Sequence, residues 1–191
     1  MDSHWTAEDF SVNRFDLPDN GRFSELIDGK PCQFQAPDED HGRTVMNITR
    51  EISSHIHSQP QAGGYACFDL GLIVSREPDT ALFPAVSYFE GGSLFGHSDD
   101  VVTDEMPRLV IDIASTHDRR QASEQRIGLL LESGIETVWI ADPGSVTVAI
   151  HSASQSAREL AASDELTGTD VLLPEFRVTV EQLFAQPGWW K

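Results

Sequence analysis

A chain of 191 residues with 39% hydrophobic content suffices for one domain with a substantial core, and its thirty-one acidic residues against thirteen basic ones give a formal net charge of -18. That balance excludes a broad Lys/Arg surface for nucleic acid, whose affinity comes from phosphate neutralisation, but leaves room for a local basic cleft or a bound divalent cation. No apolar run approaches the ~20 residues of a membrane span, the segment MDSHWTAEDF lacks the features of a secretory signal, and Cys32 and Cys67 form neither a metal pattern nor a disulfide framework, so a reduced cytoplasmic setting without membrane contact is expected.

Residues 1–20 mix Trp5, Phe10, Phe15 and Leu17 with acids and end in Pro18-Asp19-Asn20-Gly21, which reads as a short packed helix or N-terminal arm. Phe23 to Ile27, Asp28-Gly29 and Lys30 to Gln35 form a hairpin signature, because Asp-Gly suits a type I′ turn. Alternation alone places Glu25 on the solvent side of that hairpin. Val45, Ile48, Ile52 and Ile56 mark an amphipathic helix from His41 to about His57, with His41 in its first turn and His55 and His57 near its end. Tyr65 to Phe68, Leu70 to Val74 and Val86 to Phe89 read as strands. Gly91 to Glu105 lacks periodicity and reads as an exposed loop, in which His97, Asp99 and Asp100 have the residue types to bind a cation, although acidic loops of this kind are usually only solvated.

The stretch from Pro107 to Pro143 reads as strand, loop, helix, strand. Leu109 to Ala114 is a buried strand interrupted by Asp112, a carboxylate that must be paired, hydrogen-bonded or bound to a metal. The helical pattern begins near Ser123, carries Ile127, Leu130 and Leu131 on one face, and stops at Gly134. Val138 to Ile140 is then a parallel neighbour of the first strand, ended by Asp142-Pro143-Gly144. Ser115, His117 and Asp118 have the residue types of a hydrolytic triad but crowd into one loop without an oxyanion hole, and read instead as helix-capping residues. Val146 to Ile150 pairs back as a hairpin, Arg158 to Ala161 is an edge strand, and Val180 to Phe184 is a terminal helix. The only lysines are Lys30 and Lys191, so any chemistry built on a lysine has little to draw on.

Five of these pieces, in order, resemble the Uma-type restriction endonuclease family, a branch of the PD-(D/E)XK nuclease fold. Arg22-Phe23-Ser24-Glu25-Leu26-Ile27-Asp28-Gly29 resembles the family's opening RYELIDG hairpin, and His41 falls where the family carries a histidine. GLIVSREPDTALFPAVSYF resembles a strand pair ending in PDVSF. LVIDIAS resembles LVVEVLS, and RIGLLLESGIETVWIADP resembles KLEAYRRAGVPEYWLVDP.

The resemblance implies a single restriction endonuclease-like α/β domain over residues 21–184, followed by a tail over residues 185–191. Its central mixed β-sheet would be flanked by helices, with N-terminal and C-terminal hairpins. It further implies a homodimer, to which the apolar pair Trp189 and Trp190 would add buried surface, and DNA as the partner. Hydrolysis of a phosphodiester in such a family uses Mg²⁺ or Mn²⁺ held by acids, with a lysine beside them. Asp112 and Glu25 would be the metal ligands here, Ala85 stands at a vacant ligand position, and Arg126 replaces the lysine. Ser115 and His41 complete the implied catalytic set. With three defining positions altered, the expected activity is weak or absent, and the alternative is an inactive nuclease-fold binding or regulatory module. Asp112 is expected to point into a cleft, with Glu25 and Arg126 within reach.

Overall fold

The computed structural model describes residues 4–59, 64–91, 96–97, 99–168 and 173–186. From the N-terminus, helix α1 (Ala7–Asn13) precedes the hairpin β1 (Ser24–Ile27) and β2 (Lys30–Gln33), after which comes helix α2 (Glu39–Ser58). Five short strands follow: β3 (Tyr65–Cys67), β4 (Gly71–Ser75), β5 (Thr80–Leu82), β6 (Val86–Phe89) and β7 (Val102–Thr103). The central unit is β8 (Leu109–Ile113), α3 (His117–Glu132) and β9 (Thr137–Asp142). Strands β10 (Thr147–Ser152), β11 (Gln155–Leu160), β12 (Glu165–Thr167) and β13 (Arg177–Thr179) lead to α4 (Val180–Phe184).

The main sheet is mixed, in the order β11-β10-β9-β8-β6-β3, and its one parallel pair is β8 with β9. Because side chains alternate across a strand, β8 sends Leu109, Ile111 and Ile113 to one face and Val110 and Asp112 to the other. The first set packs with Ile48 and Ile52 of α2 and with the C-terminal segment through Phe176, Val178 and Leu183. On the opposite face Val110, Val138 and Ile140 pack with Leu130 of α3 and with Leu72 and Leu82 of the second sheet. Asp112 therefore leaves the sheet on the α3 side.

The second sheet, in the order β2-β1-β5-β4-β7, lies over that side of the molecule. Asp28 and Gly29 both have positive φ, +49° and +71°, as a type I′ turn requires. α1 closes the outer face of this sheet, where Ala7 and Phe10 meet Leu26, Ala81 and Phe83. Asp79 fixes α1 in place: its carboxylate accepts a 2.8 Å hydrogen bond from the Ala7 amide and lies 2.9 Å from Arg76.

The paired strands β12 and β13 were not among the expected elements, and three further departures lie closer to the site. β5 is an additional strand, joining the hairpin to β4 between the two strands expected on either side of it. The stretch expected to be an exposed loop contains β7, paired parallel to β4, and the His97 ring packs on Phe89 with its Nδ1 2.9 Å from Asp100 Oδ2. α3 begins at His117, not near Ser123, because its first turns bury the face of Arg119 instead of apolar side chains. Trp189 and Trp190 lie outside the described residues.

Asp79 is 8% exposed, so Asp79→Ala strands the Ala7 amide and removes a partner of Arg76. We expect a loss of about 1–3 kcal/mol in urea denaturation. Amide exchange should accelerate first across α1.

Candidate active site

Asp112 and Glu25 reach the same point from different sheets. β1 is buried on both faces, Leu26 beneath α1 and Glu25 beneath α3, so Glu25 is 1% exposed although its strand alternates like a surface hairpin. Its Oε1 accepts a 3.0 Å hydrogen bond from the Phe83 amide. Asp112 Oδ1 accepts one of the same length from the Ile113 amide. The remaining oxygen of each acid goes to one residue, Arg126. Its Nε donates to Asp112 Oδ2 at 2.7 Å, and its Nη1 donates to Glu25 Oε2. Arg126 is itself only 3% exposed, so its guanidinium is a buried cation between two buried carboxylates.

A second guanidinium stands beside this trio. Arg119, two turns earlier on the same face of α3 and 8% exposed, places Nη1 3.7 Å from Asp112 Oδ1. Phe34 covers both arginines, its ring centroid 5.1 Å from the Arg119 guanidinium carbon and 5.7 Å from that of Arg126. The segment after β2 is held there by Asp118, whose Oδ2 accepts the Gln35 amide while Oδ1 accepts the Thr116 hydroxyl and the Arg119 amide. Asp118 is thus a capping residue of α3, away from any triad.

On the α2 side, Asp38 caps the helix by accepting the His41 amide at 2.9 Å. His41 Nδ1 shares a 2.9 Å hydrogen bond with Ser115 Oγ, just beyond the end of β8. Burial, and then the nearby Arg119, push the His41 pKa below its ordinary value against the opposing pull of Asp112 and Asp38. The imidazole is therefore neutral at neutral pH.

These groups border a cleft of about 290 Å³. Of the residues singled out from the sequence, Glu25, Asp112, His41 and Ala85 line it, Arg126 lies behind the two acids, and Ser115 joins through His41. Arg119, Arg22 and Phe34 are the participants that sequence reasoning missed. A signal for Arg119 was present: a cation in the first turn of a helix opposes the helix dipole and needs a reason to be there.

The donor set does not match a resident Mg²⁺ or Mn²⁺. Such an ion takes carboxylate and water oxygens in an open, octahedral arrangement. Among the described residues no three His, Cys, Asp or Glu side chains converge on such a point. Ala85 offers no ligand, and the two acids that face each other already share a guanidinium.

The electrostatics follow from this pairing. Burial pushes the Asp112 carboxyl up, but Arg126 and Arg119 outweigh it and hold the group below the usual aspartate range. A depressed acid contributes stability that is present above the unfolded pKa, about 3.9, and is lost as the pH falls through the lower folded value. Arg126→Ala leaves two buried acids without their shared cation, and we expect a loss of about 3–5 kcal/mol at pH 7 in urea denaturation. In that variant burial is no longer offset by Arg126 and raises the Asp112 pKa instead, so its deficit should shrink between pH 7 and pH 5. Parallel pH profiles for the two proteins would contradict this account of the site.

With the fold and site described, comparisons with known proteins place them. The chain matches the family model "Uma2: Putative restriction endonuclease" over residues 12–181. A solved structure described as a "putative nuclease belonging to DUF820", from Anabaena variabilis ATCC 29413, superposes with a TM-score of 0.73 at 22% identity. That similarity covers 94% of this chain and 97% of the other, and shows a shared fold. No curated protein matches. The family match spans most of the sequence, and the chain belongs to the Uma2 family of restriction endonuclease-like proteins.

Proposed function

We propose that this chain is a nuclease-fold protein that no longer hydrolyses phosphodiesters with a divalent metal and acts as a homodimeric binding module. The observation that carries this reading is the Arg126 guanidinium held between Glu25 and Asp112. Metal-assisted hydrolysis needs carboxylates free to hold the ion that polarises the phosphate and generates hydroxide. Here both are neutralised by a group that cannot be deprotonated and cannot present the compact ammonium of a lysine. Ala85 removes the third acid from the same cleft.

DNA is the partner class that the nuclease family brings to this reading. A net charge of -18 opposes a broad hold on that polymer, so binding would rest on a local site and show a shallow salt dependence. The competing reading, weak metal-dependent cleavage, draws support from one arrangement: Glu25, Asp112 and the neutral His41 line a single cleft.

A cleavage assay on supercoiled and single-stranded DNA with Mg²⁺ or Mn²⁺ separates the two. The present chain should leave both substrates intact and show no saturable Mn²⁺ binding in calorimetry. Ala85→Asp combined with Arg126→Lys restores an acid and frees the existing pair, and should gain Mn²⁺ binding. Nicking by the present chain that EDTA abolishes would overturn the proposal in favour of the competing reading.

A further inference from the structure

One wall of the cleft is the corner between β3 and β4, which carries Phe68 and Asp69. Both strands that flank this corner are gripped by the segment around β7. On one side the His97 ring lies against the stacked pair Tyr65 and Phe89, its centroid 6.1 and 4.8 Å from theirs, and Tyr65 begins β3. On the other, β7 pairs parallel to β4, Gly71 with Val102 and Leu72 with Thr103, and the Gly71 amide donates to the Val101 carbonyl. Whatever fixes His97 relative to β7 therefore steadies the corner.

Carboxylates on both sides of β7 reach the ring. Asp100, ahead of the strand, places Oδ2 2.9 Å from Nδ1. Glu105, behind it, places Oε2 3.4 Å from Nε2, and its own amide donates to Thr103 Oγ1 at 3.1 Å. The His97 side chain is 7% exposed, and its Nε2 is buried and completes no hydrogen bond among the described residues. A neutral imidazole has one N–H, and the contact with Asp100 requires it at Nδ1. Nε2 then turns a lone pair toward Glu105. Protonation makes that nitrogen a donor, and only the imidazolium can bond both acids.

The neighbours leave this ring as the group that switches. Burial, then Glu105, Cys67 and Asp100, push the Tyr65 phenol above its ordinary value. Burial and then Asp100 push the Cys67 thiol up as well, so both groups on β3 are neutral near pH 7. Phe89 of β6 is apolar, and Glu90 beyond it is taken by Arg108. Asp99 and Asp104 of the same segment are exposed. Imidazole is the side chain whose ordinary pKa, about 6.5, puts its charge change between pH 5 and 8.

We propose that His97 is an acid-engaged clasp: its protonation ties Glu105 as well as Asp100 to the ring, secures β7 against β3, and so holds the cleft wall of Phe68 and Asp69. The clasp acts on the shape of the cleft and does not depend on whether the cleft binds or cleaves DNA. Its direction follows from the charges. The second bond forms as the pH falls through the imidazole range and is lost as the pH rises; below about pH 4 the acids are themselves protonated and the clasp releases.

Hydrogen exchange of the full chain at about pH 8 and about pH 5.5, each rate divided by the intrinsic rate at that pH, tests this within the imidazole window. Peptides spanning β7 and the β3–β4 corner should gain about fivefold in protection on acidification, the effect of one added hydrogen bond, while β10, toward the opposite edge of the main sheet, should not. Glu105→Gln keeps the Asp100 contact and removes the acid-dependent partner, so it should abolish the gain and leave the protection at pH 8 unchanged. His97→Gln should lower protection at both pH values and also abolish the gain. Glu105 is exposed, and urea denaturation confirms that each variant is folded. Equal protection of the present chain at the two pH values overturns the proposal. So does a gain that survives in Glu105→Gln, which leaves the other cleft imidazole, His41, in place and would assign the effect to it.

Discussion

The site depends on one buried cation shared by two buried anions. Removing any of these charges from water costs several kcal/mol, and the mutual attraction offsets that cost only when the geometry is good and the remaining polar atoms are satisfied. Both conditions hold for the acids. Each carboxylate gives one oxygen to a backbone amide and one to Arg126, so neither is left with a bare, desolvated oxygen. That geometry needs β1, β8 and α3 to be in register simultaneously. A slip of one residue in either strand would turn its acid to the opposite face and leave the guanidinium buried and uncompensated.

The same pairing reconciles the overall charge with the local one. Most acids of this chain are solvated, and their mutual influence fades within about 8 Å at physiological ionic strength. Inside the cleft screening is weaker, and the balance there is set by a few residues. A polyanion approaching the surface meets repulsion that salt screens, whereas the buried charges of the site act on one another with little screening.

Much of this was legible in the chain because apolar patterns report burial directly. Asp112 announced itself as a charge within a run of branched residues, and the strand-helix-strand unit around it emerged from period and turn chemistry. Glu25 was harder, since alternation in a hairpin reports which face a residue occupies but not whether that face is covered. Only the docking of α1 on one side and α3 on the other buries both. β5 escaped because Thr80, Ala81 and Leu82 are too few to show a period. The first turns of α3 escaped for a more instructive reason: their buried side chain is Arg119, and a search for apolar periodicity passes over a helix that faces inward through a cation. Arg126 was expected near the acids from its place in the helix. That it would bridge both of them is a matter of angstroms, which residue spacing does not contain.

The origins of the three charged groups also bear on how the molecule assembles. Asp112 and Arg126 are fourteen positions apart within one β-α-β unit, while Glu25 is separated from Arg126 by one hundred and one. Closing the short loop costs little chain entropy, whereas recruiting the hairpin requires most of the intervening chain to be ordered. We expect the local pair to meet early and Glu25 to join when the second sheet docks. Weakening the Glu25 contact would then mainly hasten unfolding and leave the folding rate nearly unchanged, since an interaction absent from the transition state affects only the exit from the native state. The hairpin carrying Glu25 is thus also a latch, and how long the native state persists depends on how firmly that latch is held.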